Sequence, residues 1–244
     1  MRMMLLYTAC LLLSKRKLYL FLPFRAMIKD MDKRNYQKEL DALILAQQGY
    51  RPSVLLHSCC GPCSSSVLEY LTKYFRVTLF WYNPNLYPEE EFDKRLATQK
   101  ELLEKMPLSS PVEVLSESWK HEEFVASAAG YEREPEGGKR CEQCFALRLR
   151  RCARTAKEHH FDYFCSTLTV SRYKNAPLIN TIGERIAEET ETRWLPSDFK
   201  KRGGEQRSSE LAEYYQLYRQ VYCGCEYSLK QRTDFEKNRQ NNAF

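Results

Sequence analysis

The stretch Ser53–Leu56 is a short apolar run that ends in the turn His57-Ser58-Cys59-Cys60-Gly61-Pro62-Cys63, and Ser64–Phe75 follows with Val67, Leu68, Leu71 and Phe75 at helical spacing. A strand that feeds a helix through a tight turn is half of a βαβ unit, and the pattern repeats. Val77–Tyr82 reads as a second strand, Asn83-Pro84-Asn85 as a turn, and Glu89–Met106 as a helix with Phe92, Leu96, Leu102 and Leu103 on its apolar face. Val112–Leu115 reads as a third strand, with a helical stretch from Trp119 to Ala129 behind it. A helix over Tyr36–Gln48 precedes the first strand, while Phe145–Lys157 and Phe161–Cys165 predict a later helix and strand. Strands alternating with helices of this length define the α/β class, a parallel sheet flanked by helices, here with a mostly helical C-terminal part. In such sheets function sits beyond the C-terminal ends of the strands. The first turn at that end carries Cys59, Cys60 and Cys63.

Sulfur is the second constraint. Of ten cysteines, seven fall in three tight groups: Cys59, Cys60 and Cys63; Cys141 and Cys144; Cys223 and Cys225. A secreted disulfide scaffold is a shorter chain with its cysteines spread along it, so the grouping points to metal binding or redox work. The first group lies at an expected helix N-terminus, where free N–H groups and the dipole favour thiolate. Taken alone, Cys60-Gly61-Pro62-Cys63 also fits a thioredoxin-like redox pair. The long gap from Cys63 to Cys141 argues against a compact zinc ribbon, and seven thiols exceed the four that one zinc or one 4Fe-4S cluster uses. Some are therefore not ligands, or there are two metal centres, or one pair cycles between dithiol and disulfide. Cys152, inside a helical run, and Cys165, at the end of an apolar strand, read as buried packing residues, and Cys10 gets no role.

The remaining features set boundaries. Met1–Phe24 holds two apolar runs split by Ser14-Lys15-Arg16-Lys17, each too short to span a bilayer and without a small-residue cleavage site after them. Residues 1–31 are expected to be an extension outside the fold, either a peripheral segment or the result of a start codon placed before Met27 or Met31. Residues 32–232 are expected to form one α/β domain, with 233–244 as a tail. No membrane association is expected, and the reduced thiols point to the cytoplasm. The formal charge of +6 favours a polyanionic partner without requiring one. The loop Arg133–Arg140, rich in charge, Gly and Pro, is the one plausible break in the domain.

Six motifs in order carry a family resemblance: HSCCGPCS, YNPNLYP with EEEFDKR, GGKRCEQCFALRL, STLTVSRYKN, LPSDFKKRGG and YRQVYCGCEYS. From Val54 to Ser228 the chain resembles the QueH-type epoxyqueuosine reductases, departing from the expected pattern at Arg172, where proline is more usual. The resemblance implies a PP-loop-like, Rossmann-like fold and the last step of queuosine formation, loss of the epoxide oxygen from the modified wobble nucleoside of a tRNA. It further implies a 4Fe-4S cluster beside a second mononuclear metal, iron or zinc, divided among Cys59, Cys60, Cys63, Cys141, Cys144, Cys223 and Cys225, with no cobalamin. An electron donor is also required. His57, Tyr173, Lys174, Asp198 and Tyr222 lie inside the matched motifs and are the candidate proton donors. Lys139, Arg140, Lys200, Lys201, Arg202 and Arg207 are candidate phosphate contacts along the anticodon stem, and Tyr82, Tyr87 and Phe145 are available to stack on a splayed base. Two rival classes remain: a PP-loop sulfur-transfer enzyme, which would want a Ser-Gly-Gly phosphate loop where this chain has cysteines, and a zinc-dependent RNA-binding protein.

Overall fold

The computed structural model describes residues 34–241. The expected N-terminal extension, residues 1–31, lies outside them, as does Cys10. Four strands, β1 (Ser53–His57), β2 (Arg76–Trp81), β3 (Glu113–Ser116) and β4 (Tyr163–Ser166), form one sheet in the order β3-β2-β1-β4. Every pairing is parallel, with Leu56 opposite Leu79 on one side and Cys165 on the other. Around the sheet lie α1 (Tyr36–Ala46), α2 (Gly61–Leu71), α3 (Glu89–Lys105), α4 (His121–Ala128), α5 (Lys139–Glu158), α6 (Ala176–Thr190), α7 (Gly204–Tyr214) and α8 (Glu226–Asn241). The boundary expected at residue 233 falls within α8. The fold is the α/β arrangement that the alternation of elements predicts, with a helical C-terminal part.

Two helices begin earlier than their apolar spacing suggests, and both shifts concern cysteines. Helix α2 starts at Gly61 because the Cys60 side chain caps it, accepting from the Cys63 N–H, and because Pro62 fits the first turn. Helix α5 starts at Lys139, which places Cys141 and Cys144 on its first turns instead of in the loop before it. Apolar periodicity is blind to these turns, since their side chains face a polar site.

The core is continuous from Leu40 and Phe75 through the four strands to Ile186 and Trp194. β1 is buried on both faces, as a central parallel strand must be. Cys152 and Cys165 are fully buried in this core, the packing role their sequence context predicts. Consecutive strands run outward from β1 to β3, then the chain returns to place β4 on the other side of β1. The order reverses between β1 and β4, so the crevice of the doubly wound sheet opens beyond His57 and Ser166, which pair in register.

Candidate active site

A cavity of about 400 Å³ fills that crevice. Its wall is drawn from the β1–α2 turn (Cys59) and the first turn of α2 (Pro62, Cys63), from α3 and α5 (Arg95, Arg148), from the segment after β4 (Thr167 and Lys174 among others) and from Arg219 to Cys223. Segments far apart in sequence therefore meet at one sheet edge.

The thiols sort by geometry. The sulfurs of Cys59, Cys60 and Cys63 all lie within 4.8 Å of one another, and among the described residues no other group of three metal-ligating side chains does so. A metal ion with bonds of about 2.3 Å in tetrahedral geometry separates its sulfur ligands by roughly 3.8 Å, so this trio suits a single ion with little adjustment. Cys141, Cys144, Cys223 and Cys225 form a second neighbourhood. Cys223 and Cys225 bear on Cys141 and Cys144 electrostatically, yet no three of the four meet the close spacing. That is the donor number of a 4Fe-4S cluster, with sulfurs set wider than one ion would hold them.

Charge is arranged to favour thiolate at particular atoms. The thiols of Cys60 and Cys63 hydrogen-bond to Cys59 and draw its pKa well below the ordinary value, with Arg148 and Lys174 adding to the effect. Those same bonds push Cys60 up to about 12 and raise Cys63. Burial pushes Cys144 up to about 12 and raises Cys141. Arg148 is 2% exposed and makes a hydrogen bond to the Cys144 carbonyl at 3.1 Å. Burial works against its charge, and Cys144, Cys59, Cys223 and Cys141 outweigh that penalty. Lys174 has its Nζ 3.7 Å from the Cys223 sulfur and is raised by it, against burial.

A buried strap holds the Cys223-Gly224-Cys225 loop in place. Arg95, 1% exposed, pairs with Glu91 at 2.7 Å and donates to the carbonyls of Cys223 (3.2 Å) and Tyr222 (3.4 Å). Glu91 also accepts from the Tyr218 hydroxyl at 2.9 Å. The EEEFDKR motif thus acts by anchoring a loop from the far end of the chain. Its charges at i and i+4 are legible in sequence as a helical pair, but their partners are not.

The candidate proton donors are dispersed. Lys174, Tyr173 and Tyr222 line the cavity, whereas His57 and Asp198 do not. His57 is fully buried, with one ring nitrogen 2.9 Å from the Ser166 hydroxyl and the other 3.2 Å from the Tyr82 carbonyl, and burial, then Arg148, lowers its pKa to about 4. Asp198 is buried and paired with Lys200 at 2.6 Å. Tyr222 donates to the Tyr87 carbonyl at 2.5 Å, and burial raises its pKa to about 12. Tyr173 stands at the rim, 84% exposed.

Most of the basic candidates are already engaged. Arg140 is buried, donates to the carbonyls of Glu132, Tyr131 and Glu134, and stacks 4.5 Å from the Tyr227 ring, so it clamps the loop before α5. Arg202 pairs with Asp41, and Arg207 with Glu69 and Glu210. Lys139 and Lys201 are exposed, as is Arg219 on the cavity wall, a cation that sequence reasoning passed over. Among the aromatic candidates, Tyr82 and Phe145 are buried and Tyr87 is partly exposed.

A doubly wound sheet with a cysteine-lined cavity and buried cations at its switch point is the architecture of an α/β enzyme whose site chemistry is carried by sulfur. The chain belongs to the epoxyqueuosine reductase QueH family, whose model matches residues 54–231. It is 40% identical to the epoxyqueuosine reductase QueH of Staphylococcus epidermidis over 87% of this chain and 92% of that one. The protein of that name from Streptococcus pyogenes is 40% identical over 81% and 79%, and that from Thermotoga maritima 34% identical over 75% and 93%. No helix among the described residues is long and apolar enough to cross a membrane.

Proposed function

We propose that this chain reduces epoxyqueuosine at the wobble position of a tRNA to queuosine, in the cytoplasm, with electrons from an external donor. The meeting of two cysteine groups on one cavity wall, Cys59 and Cys63 with Cys223, carries the reading, and the third group acts electrostatically through Cys141 and Cys144 on Arg148 of the same wall. The epoxide takes up two electrons and two protons, both C–O bonds break, a C=C bond forms and the oxygen leaves as water. When bound, a 4Fe-4S cluster would supply electrons and a neighbouring iron or zinc would polarise the epoxide oxygen. Cys141, Cys144, Cys223 and Cys225 would hold the cluster and Cys59, Cys60 and Cys63 the single ion, without cobalamin.

The chain's own residues do the rest. Arg148 and Lys174 offset the negative charge of the thiolates, which a buried site would otherwise disfavour. Lys174 is the proton donor best placed on the cavity wall, since the Tyr222 hydroxyl is given to the Tyr87 carbonyl, Tyr173 stands at the rim, and His57 is enclosed and serves to fix the end of β1. Tyr173, exposed at the rim, suits stacking on an anticodon base, with Lys139, Lys201 and Arg219 free to meet phosphate. The sulfur-transfer alternative is disfavoured because thiols occupy the turn that a nucleotide phosphate would need.

Anaerobic purification followed by iron, sulfide and zinc analysis and an assay on epoxyqueuosine tRNA with a strong reductant tests the proposal. About four irons and four sulfides plus one further metal, with queuosine formed, is the expected result. A colourless, sulfide-free protein that stays inactive after reconstitution would overturn it.

A further inference from the structure

The segment after β4 is rich in hydroxyls, and nearly all of them are spoken for. Ser166 bonds His57 at 2.9 Å and the Leu168 N–H at 3.2 Å, and Thr169 bonds Ser197 at 3.2 Å. Thr167 differs: it is fully buried, lines the cavity, and its Oγ1 has no partner among the described residues. On the wall of the same cavity, Gln220 donates from Nε2 to the Cys60 sulfur at 3.3 Å and leaves a buried Oε1 without a partner among the described residues. The sulfur, an acceptor when thiolate or metal-bound, sets which way the amide points. Other unpartnered buried atoms, such as Asn83 Oδ1, Asn85 Oδ1 and Gln99 Nε2, belong to residues off the cavity wall.

A buried polar group without a partner is costly, so these two atoms are expected to bond whatever fills the cavity. Gln220 Oε1 can only accept, whereas the Thr167 hydroxyl can donate or accept. A ring bearing a hydroxyl beside an ether oxygen offers the complementary pair. We propose that Thr167 and Gln220 form a polar wall that recognises the hydroxylated epoxycyclopentane ring and holds its epoxide toward the thiols. The assignment rests on the reductase reading above and adds the residues that would distinguish this nucleoside from an unmodified one. Thr167 lies at the end of β4, level with the β1–α2 turn because Ser166 pairs in register with His57. The recognition group and Cys59 are thus fixed by the same sheet edge.

The test compares the metal-loaded enzyme with its Thr167→Val and Thr167→Ser variants, without reductant. Affinity is measured for an anticodon stem-loop carrying epoxyqueuosine and for the same stem-loop with guanosine at the wobble position. The valine variant, nearly isosteric, is expected to lose roughly tenfold of the preference for the modified loop, the worth of one buried hydrogen bond. Its iron content and its affinity for the guanosine loop should stay unchanged. The serine variant, which keeps the hydroxyl, should keep the preference. Under turnover the valine change should raise KM more than it lowers kcat. A valine variant with undiminished preference, or a serine variant that loses as much as valine, would overturn the inference. If wild-type enzyme binds the modified loop selectively but does not reduce it, the reductase reading fails while recognition by Thr167 is still decided by the same comparison. A wild type without selectivity sinks the inference directly.

Discussion

Replacing Arg148 with Met separates the charge of this site from its packing. Methionine suits the helix and the volume of the arginine stem, so the main loss is a cation that is 2% exposed and that no carboxylate among the described residues approaches within ion-pair distance. Its counter-charges are sulfurs, and these differ between the metal-free and metal-loaded protein. Without metal, Cys144, with its pKa near 12, and Cys141, also raised, are protonated at neutral pH, leaving Cys59 as the principal thiolate facing the guanidinium. Removing the cation then costs little, because its own desolvation penalty goes with it and Cys59 can take up a proton. With metal bound, the ligand sulfurs are thiolates and the same substitution leaves buried negative charge unpaired, at a cost of about 3–5 kcal/mol. At about 2–4 °C per kcal/mol for a domain of this size, Tm should fall by roughly 10 °C in the loaded protein and not in the stripped one. Thermal unfolding of both forms, with iron counted per chain, measures the difference. An equal fall in the two forms would show that Arg148 acts through packing alone, and the charge argument would be refuted.

Other substitutions probe separate parts of the construction. Gly224 sits at φ +127°, and an added Cβ would lie 2.5 Å from a Leu86 methyl and 3.1 Å from Arg95, so Gly224→Ala should displace the Cys223–Cys225 loop and lower iron content, while far-UV circular dichroism stays native. Cys152→Ala, in the core and away from the cavity, should cost about 1 kcal/mol by urea denaturation with metal content intact; loss of iron would place it in the site after all. Asp162 accepts from the Ser53 N–H and hydroxyl, both at 2.8 Å; burial opposes its charge, but these bonds hold its pKa below the ordinary value. The unfolded carboxyl therefore takes up its proton first, near pH 4, and the stabilisation present above that pH is lost as pH falls through the folded value. Asp162→Asn should flatten this acid limb by no more than about 1 kcal/mol, because the group is only partly buried and its charge is screened by solvent; an unchanged limb would remove Asp162 from the account.

Much of the fold is legible in the amino-acid order because periodicity and turn chemistry act over short stretches of chain. The alternation from Ser53 to Cys165 determines a parallel sheet, the turn after Leu56 puts three cysteines at a helix start, and the apolar surroundings of Cys152 and Cys165 mark them as core. Six ordered motifs also determine the family. The arrangement of the site needs the tertiary structure, since it depends on contacts between residues far apart in sequence. The reversal of strand order between β1 and β4 brings Thr167 and Lys174 to the cavity that Cys59 lines, and the Arg95–Glu91 pair holds Cys223 on the same wall. Burial, which sequence cannot supply, then decides what each charge does. It commits Arg140 to carbonyls that a phosphate contact would have to displace, keeps His57 neutral, and makes Arg148 depend on sulfur for its counter-charge.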